Sequence, residues 1–247
     1  MYDVKKLLDN EIKKRDRFDE LILKRPDPLM VAKKYNNEYI SLICALFAYG
    51  NAHQIVKFLS DLDFSLLDKG EKFLRNNFGN HYYRFQSKED VLEFFITISR
   101  IKNKYSLEDI FFNGYKREKS ILNGLREIIS FIYDINSYRS KGYEFLIGKI
   151  PVLPVKSPYK RWNMYLRWMV RDKTHDLGLW KKIDKSSLLI PLDTHTFNVS
   201  KKLGLLNRKT YDFKSVSLLT EKLKEFDKND PVKYDFALYR IGQEKIV

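Results

Sequence analysis

The chain has 247 residues, enough for one large domain or two small ones sharing an interface. Its 44% hydrophobic and 15% aromatic content is ample for a packed core and excludes global disorder. Lys and Arg (46) outnumber Asp and Glu (32), and the resulting +14 favours a polyanion whose phosphates relieve self-repulsion and release counterions, although an AT-rich genome also raises Lys.

In chain order the dominant period is helical. Met1-Tyr2-Asp3-Val4-Lys5-Lys6 holds no apolar segment of the kind a signal peptide needs. Leu7, Leu8 and Ile12, then Phe18, Leu21 and Ile22, recur at three- to four-residue spacing, predicting an amphipathic N-terminal region that Pro26 and Pro28 break. Two helices follow, Tyr39–Phe47 and Ile55–Leu67, split by Tyr49-Gly50-Asn51-Ala52-His53. Charge-free Tyr39–Val56 carries Ser41, Gly50, Asn51, His53 and Gln54, and so reads as a buried helix running into a loop rather than a membrane span. Cys44 sits in an apolar run and is expected in the core. A single thiol can form neither an internal disulfide nor a four-thiolate iron–sulfur site, which suits a reducing cytoplasm. Ser87 and Asp90 form a capping-box pattern opening Val91–Ile101, Ser106 opens a short helix through Phe112, and Ser120–Tyr133 is another. Pro151, Pro154 and Pro158 mark the clearest irregular joint. No alternating segment bounded by hairpin signals appears, so the expected fold class is all-α.

Beyond the proline joint a helix starts near Tyr159. At about 100° per residue, Lys160, Met164, Arg167 and Arg171 share one face, and Trp162, Tyr165, Leu166 and Met169 an apolar one. A solvated basic face explains most such stripes. Lys160, however, stands in the first turn, where the helix dipole disfavours a cation and favours the neutral amine that a nucleophile needs. Further on, Asp193 in Ile190-Pro191-Leu192-Asp193-Thr194-His195 is placed to N-cap a helix ending at Gly204, with Lys201 and Lys202 in its last turn. Capping alone justifies an Asp there. A capping carboxylate is also held rigidly, and can stabilise positive charge on a reacting sugar. Asp230-Pro231 is a strong start for a C-terminal helix on which Asp235 and Tyr239 face one way.

Leu192-Asp193-Thr194-His195-x-Phe197 resembles the VDTHxxR segment of helix-hairpin-helix DNA glycosylases, and Lys160-x-x-Asn163-x-x-Leu166 resembles the KxxNxxL after their hairpin. The order and spacing look most like archaeal-type 8-oxoguanine DNA glycosylases and their bacterial relatives. The likeness covers about residues 153–242, with a looser helical correspondence from Tyr39. There are departures. Lys156 and Pro158 stand where hairpins reading LPGVGxK carry glycines, Gly50 replaces the Gln of the LLSAQATD wedge region, and the four-cysteine cluster of one branch is missing.

The resemblance implies a compact multi-helix fold acting as a single catalytic unit over 1–247, with two helical subdomains flanking a cleft. One is central, 36–172, ending in the hairpin and the Lys160 helix; the other is discontinuous, 1–35 plus 173–247. It implies a glycosylase with AP lyase activity that excises an oxidised base, 8-oxoguanine foremost, from double-stranded DNA flipped out of the stack. Lys160 is then the nucleophile, through a Schiff base, and Asp193 its acidic partner. Arg167, Asp235, Tyr239, Met164 and Phe85 contact the base, and Lys156, Ser157, Arg161, Arg171, Asn51 and His53 contact DNA. No cofactor is required, and the four His lack zinc-site spacing. A cytoplasmic, nucleoid-associated monomer is expected. The alternatives are a non-catalytic helical DNA-binding protein on the same scaffold and a helical adaptor for RNA or proteins.

Overall fold

The computed structural model describes residues 3–15 and 26–245. Phe18, Leu21 and Ile22, part of the expected N-terminal amphipathic region, lie outside the described residues. The described residues are all-helical, with no strand and one isolated bridge, Tyr83 to Gln86. None of their helices is long and apolar enough to cross a membrane. The chain divides into two compact units, Met1–Ile22 with Val152–Val247, and Leu23–Pro151.

The central unit runs through α2 (Leu29–Tyr35), α3 (Glu38–Leu46), α4 (Ala52–Ser60), α5 (Glu71–Asn77), α6 (Lys88–Lys102), α7 (Leu107–Tyr115), α8 (Ile121–Ile135) and α9 (Lys141–Ile147). Its starts are written in capping side chains that satisfy orphan amides. Asn37 accepts from Tyr39 and Ile40, Ser87 and Asp90 close a reciprocal capping box, and Ser106, Ser120 and Ser140 each accept from the third residue on. α6 is buried almost throughout, from Asp90 to Ser99. α8 packs on α7 where Gly124 leaves room for the Phe111 ring, which would lie 2.4 Å from an added Cβ. Cys44 is fully buried, and burial pushes its thiol pKa up, as a core thiol requires. The expected helix Ile55–Leu67 is instead two elements. α4 stops at Ser60, and Asp63 restarts the chain as a 3-10 turn, Phe64–Asp68, by accepting from Ser65 N–H. A local Asp side chain competes there with helix continuation.

The discontinuous unit comprises α1 (Val4–Arg15), α10 (Lys160–Val170), α11 (Thr194–Lys202), α12 (Phe213–Lys224) and α13 (Asp235–Gln243). Leu8, Ile190, Leu192, Val216, Leu219, Leu223, Leu238 and Ile241 form its fully buried core. α11 and α13 approach closely at Gly242, where an added Cβ would stand 2.9 Å from Val199 Cγ2. Arg15 ties α1 to the end of α13 by donating to Glu244 at 3.0 and 2.8 Å. The Lys160 helix therefore lies with the chain termini, whereas the sequence reading ended the central subdomain after it, at 172. Its partners explain the difference. Leu177 and Gly178 N–H donate to Trp168 O, Trp180 N–H donates to Met169 O, and the Trp180 ring meets Tyr165 edge-on at 5.4 Å.

Candidate functional site

α10 begins abruptly. Tyr159 takes a left-handed conformation (φ 47°, ψ 37°) and offers no side-chain cap, which turns the chain so that Lys160 is the first helical residue. Lys160 is half-buried, and its Nζ lies 3.6 Å from Met164 Sδ one turn on, so the expected shared face is present. Asp193 caps α11 as expected: its Oδ1 accepts from Thr196 N–H at 2.7 Å. Beside it, the Tyr211 hydroxyl donates to Leu192 O at 2.6 Å, and burial together with the Asp193 charge pushes its pKa up to about 12.

The basic stripe is not solvated. Every residue from Trp162 to Met169 is buried, and both arginines are neutralised by carboxylates. Arg167 donates to Asp176 at 2.9 Å, to Asp235 at 2.5 Å and to His175 O at 2.8 Å. Arg171 donates to Asp230 at 2.9 Å and also to Asp176. Arg171, expected to contact DNA, has its charge committed to Asp230 and Asp176 inside the fold. Asp176, whose side chain has no exposed surface, is the shared acceptor. Although burial opposes it, the two carboxylates Asp176 and Asp235 hold the Arg167 guanidinium more firmly protonated than usual.

Asp235 opens α13, one turn before Tyr239, after a 3-10 turn over Pro231–Tyr234. Asp230 does not cap that turn with its side chain, which is spent on Arg171. Burial pushes the Asp235 pKa up to about 6. Arg167 pulls against this, Asp193 adds to it and Lys160 lowers it. Desolvation wins because Arg167 is shared with Asp176. Lys160 and Asp193, from two other segments, thus both lie near enough for their charges to act on Asp235. Tyr239 is half-buried and meets the His195 ring edge-on at 6.0 Å, tying the start of α11 to α13.

Residues 27–244 match the model of a family described as a protein of unknown function, DUF2400. The chain belongs to the DUF2400 family. No curated protein and no solved structure matches it.

Other residues expected to act in this DUF2400 member are spread over both units. Lys156 and Ser157 are exposed; Lys156 O accepts from Phe213 N–H at 3.1 Å, and Ser157 Oγ from Tyr159 N–H at 3.3 Å. Arg161 is half-buried. Phe85, Asn51 and His53 belong to the central unit. Asn51 is an N-cap that accepts from His53 and Gln54 N–H. Phe85 is 59% exposed on a tight turn, parallel to Tyr49 at 6.1 Å and edge-on to Phe145 at 5.0 Å. The Arg84 guanidinium lies over both the Phe85 and Tyr49 rings, at 5.5 and 5.9 Å. Beside it Gly50 has φ +102°, and a Cβ there would stand 2.7 Å from Arg84 Nη1, so both the backbone and the neighbouring side chain call for glycine.

The sequence reading missed Asp176 and the role of Asp230. Asp176 stands in irregular chain with no periodicity to mark it. Asp230 carried a helix-start signal that concealed its pairing. Among the described residues no group of three or more His, Cys, Asp or Glu is arranged to hold a metal ion.

Proposed function

We propose that this chain is a DNA glycosylase with associated AP lyase activity, built on the helix-hairpin-helix glycosylase scaffold and excising an oxidised base, 8-oxoguanine foremost. One observation supports the reading: α13 meets both helices that carry the motif resemblance, Asp235 accepting from Arg167 of α10 at 2.5 Å and Tyr239 meeting the His195 ring of α11 edge-on at 6.0 Å. The +14 charge and the exposed Phe85 ring, open to base stacking, support it.

In this reading the Lys160 amine nitrogen attacks C1′ of the flipped nucleotide. The C1′–N9 bond breaks, and its electron pair leaves with the base, which takes up a proton. Asp193, held by its cap bond, stabilises the positive charge that develops on the sugar. The attacking nitrogen gives up one proton, the C1′–O4′ bond breaks with its electron pair going to O4′, which takes up a proton, and a protonated Schiff base is left between Lys160 and C1′. Removal of a C2′ proton then expels the 3′ phosphate by β-elimination. Asp235, kept in place by Arg167, faces the base as a hydrogen-bond acceptor when ionised and a donor when protonated. Lys156 and Ser157 meet the DNA backbone by side chain, in place of the glycine amides of related hairpins.

The test is release of free base from end-labelled duplexes carrying 8-oxoguanine, other oxidised bases or none. Release and strand nicking from the 8-oxoguanine duplex are expected. Lesion binding with no base released from any duplex would establish the non-catalytic DNA-binding alternative instead.

A further inference from the structure

Leu192 is fully buried, so its carbonyl oxygen needs a partner, and the Tyr211 hydroxyl supplies one by donating to it at 2.6 Å. That oxygen belongs to the peptide unit leading into Asp193. A peptide unit is planar, so fixing its oxygen fixes the plane from which the Asp193 side chain departs. We infer that Tyr211 is a positioning residue for Asp193, holding the carboxylate where the proposed chemistry needs it, an inference that rests on the glycosylase reading.

Asp193 is held from two directions. On the helix side, its carbonyl accepts from Phe197 N–H at 2.8 Å and its Oδ1 from Thr196 N–H at 2.7 Å, bonds that any capped helix start makes. On the other side, Tyr211 comes from a separate segment, the turn before α12, and its ring also meets Phe197 of α11 edge-on at 5.7 Å. Burial and then the Asp193 charge push the phenol up to about 12, so the hydroxyl keeps its proton and stays a donor. The turn is braced on its own account. Arg208 donates to Asp212 at 3.2 and 2.5 Å, Asp212 accepts from Ser215 N–H at 2.9 Å, and Ser215 Oγ donates to Thr210 O at 2.5 Å. Two residues after Tyr211, Phe213 N–H donates to Lys156 O at 3.1 Å, in the loop that delivers Lys160. One short turn, residues 208–215, thus bonds to the approach of Lys160 and to the approach of Asp193.

The test is Tyr211→Phe, which keeps the ring and removes the hydroxyl. Single-turnover base release from an 8-oxoguanine duplex, at saturating enzyme and below the melting transition of every variant, should fall about 10- to 100-fold, as for a displaced catalytic group. Affinity for the duplex should stay within about 2-fold of wild type. Action through Asp193 also requires non-additivity. In an Asp193→Asn background Tyr211→Phe should lower the rate by less than about 2-fold, because no carboxylate charge is left to misplace. A merely structural hydroxyl would cost the same factor in both backgrounds. The control is Tyr39→Phe in the central unit, which removes a hydroxyl that donates to Tyr105 O at 2.7 Å and should leave base release unchanged. Base release by Tyr211→Phe at the wild-type rate, an equal loss in both backgrounds, or a matching loss in the control overturns the inference and leaves the glycosylase reading intact. A wild type that releases no base from any duplex removes that reading and the inference with it.

Discussion

Replacing Asp193 by Asn and by Ala separates the two things this carboxylate does. Its Oδ1 accepts from Thr196 N–H at 2.7 Å at the start of α11, a bond that an Asn side-chain oxygen can also accept. Asn ranks with Asp as an N-cap, so Asp193→Asn forfeits only the charge–dipole part, about 0.3–1 kcal/mol. Asp193→Ala loses the bond as well, about 1 kcal/mol more, and for a chain of this size that is a further fall in Tm of about 2–4 °C. Base release behaves otherwise. Removing a group aimed at developing charge costs about 100- to 1,000-fold in turnover, equivalent to about 2.7–4 kcal/mol, and both variants lose it. Single-turnover base release at saturating enzyme, measured beside thermal melting, reads the two quantities independently. An Asn variant that releases base at the wild-type rate refutes the proposed catalytic role. An Asn variant that melts with Ala refutes the capping argument.

Other consequences follow from the buried charges and one strained turn. Asp176→Asn leaves Arg167 and Arg171 without their shared negative charge and turns one acceptor oxygen into a donor amide; breaking a buried pair costs about 3–5 kcal/mol, so a large drop in melting temperature is expected, and an unchanged one contradicts the network's importance. Folding raises the Asp235 carboxyl from its ordinary 3.8 to about 6, so the folded state binds this proton more tightly than the unfolded chain. The Asp235 contribution therefore favours folding below about pH 4 and is lost as pH rises through about 6, with a slope approaching about 1.4 kcal/mol per pH unit. Asp90, Glu71, Asp212 and Asp227 have lowered pKa values and act in the opposite sense, so the measurement is the difference in stability between wild type and Asp235→Asn across that window; a flat difference contradicts the assignment. Gly50→Ala places a Cβ against Arg84 at φ +102° and should cost about 1–2 kcal/mol, read by chemical denaturation, whereas a neutral substitution would show that the Arg84 packing is not rigid.

Much of the helical framework could be read from local chemistry, because caps act within three residues. Ser87, Ser106, Ser120 and Asp193 all open the helices their patterns announce. The break at Asp63 was hidden because apolar spacing persists from Ile55 to Leu67 while a single side chain redirects the backbone. α12 and its apolar face contribute Val216, Leu219 and Leu223 to the core, although no motif marked that segment. In the candidate site, the places of Lys160 at a helix start and of Asp193 at a cap were legible and their surroundings were not. Arg167 and Arg171 have the same spacing whether they face solvent or a buried carboxylate, and the deciding partners, Asp176, Asp230 and Asp235, lie 5 to 68 positions away in sequence. Burial of a charged stripe depends on such distant pairing, which periodicity does not encode.

Borohydride trapping on an 8-oxoguanine duplex tests the central claim most directly, because reduction makes the Schiff base between Lys160 and C1′ permanent. Wild type should yield a covalent protein–DNA adduct, and Lys160→Gln should yield none while still binding the duplex. An adduct that persists in Lys160→Gln, or a wild type that cleaves without ever being trapped, contradicts the assignment of this amine as the nucleophile.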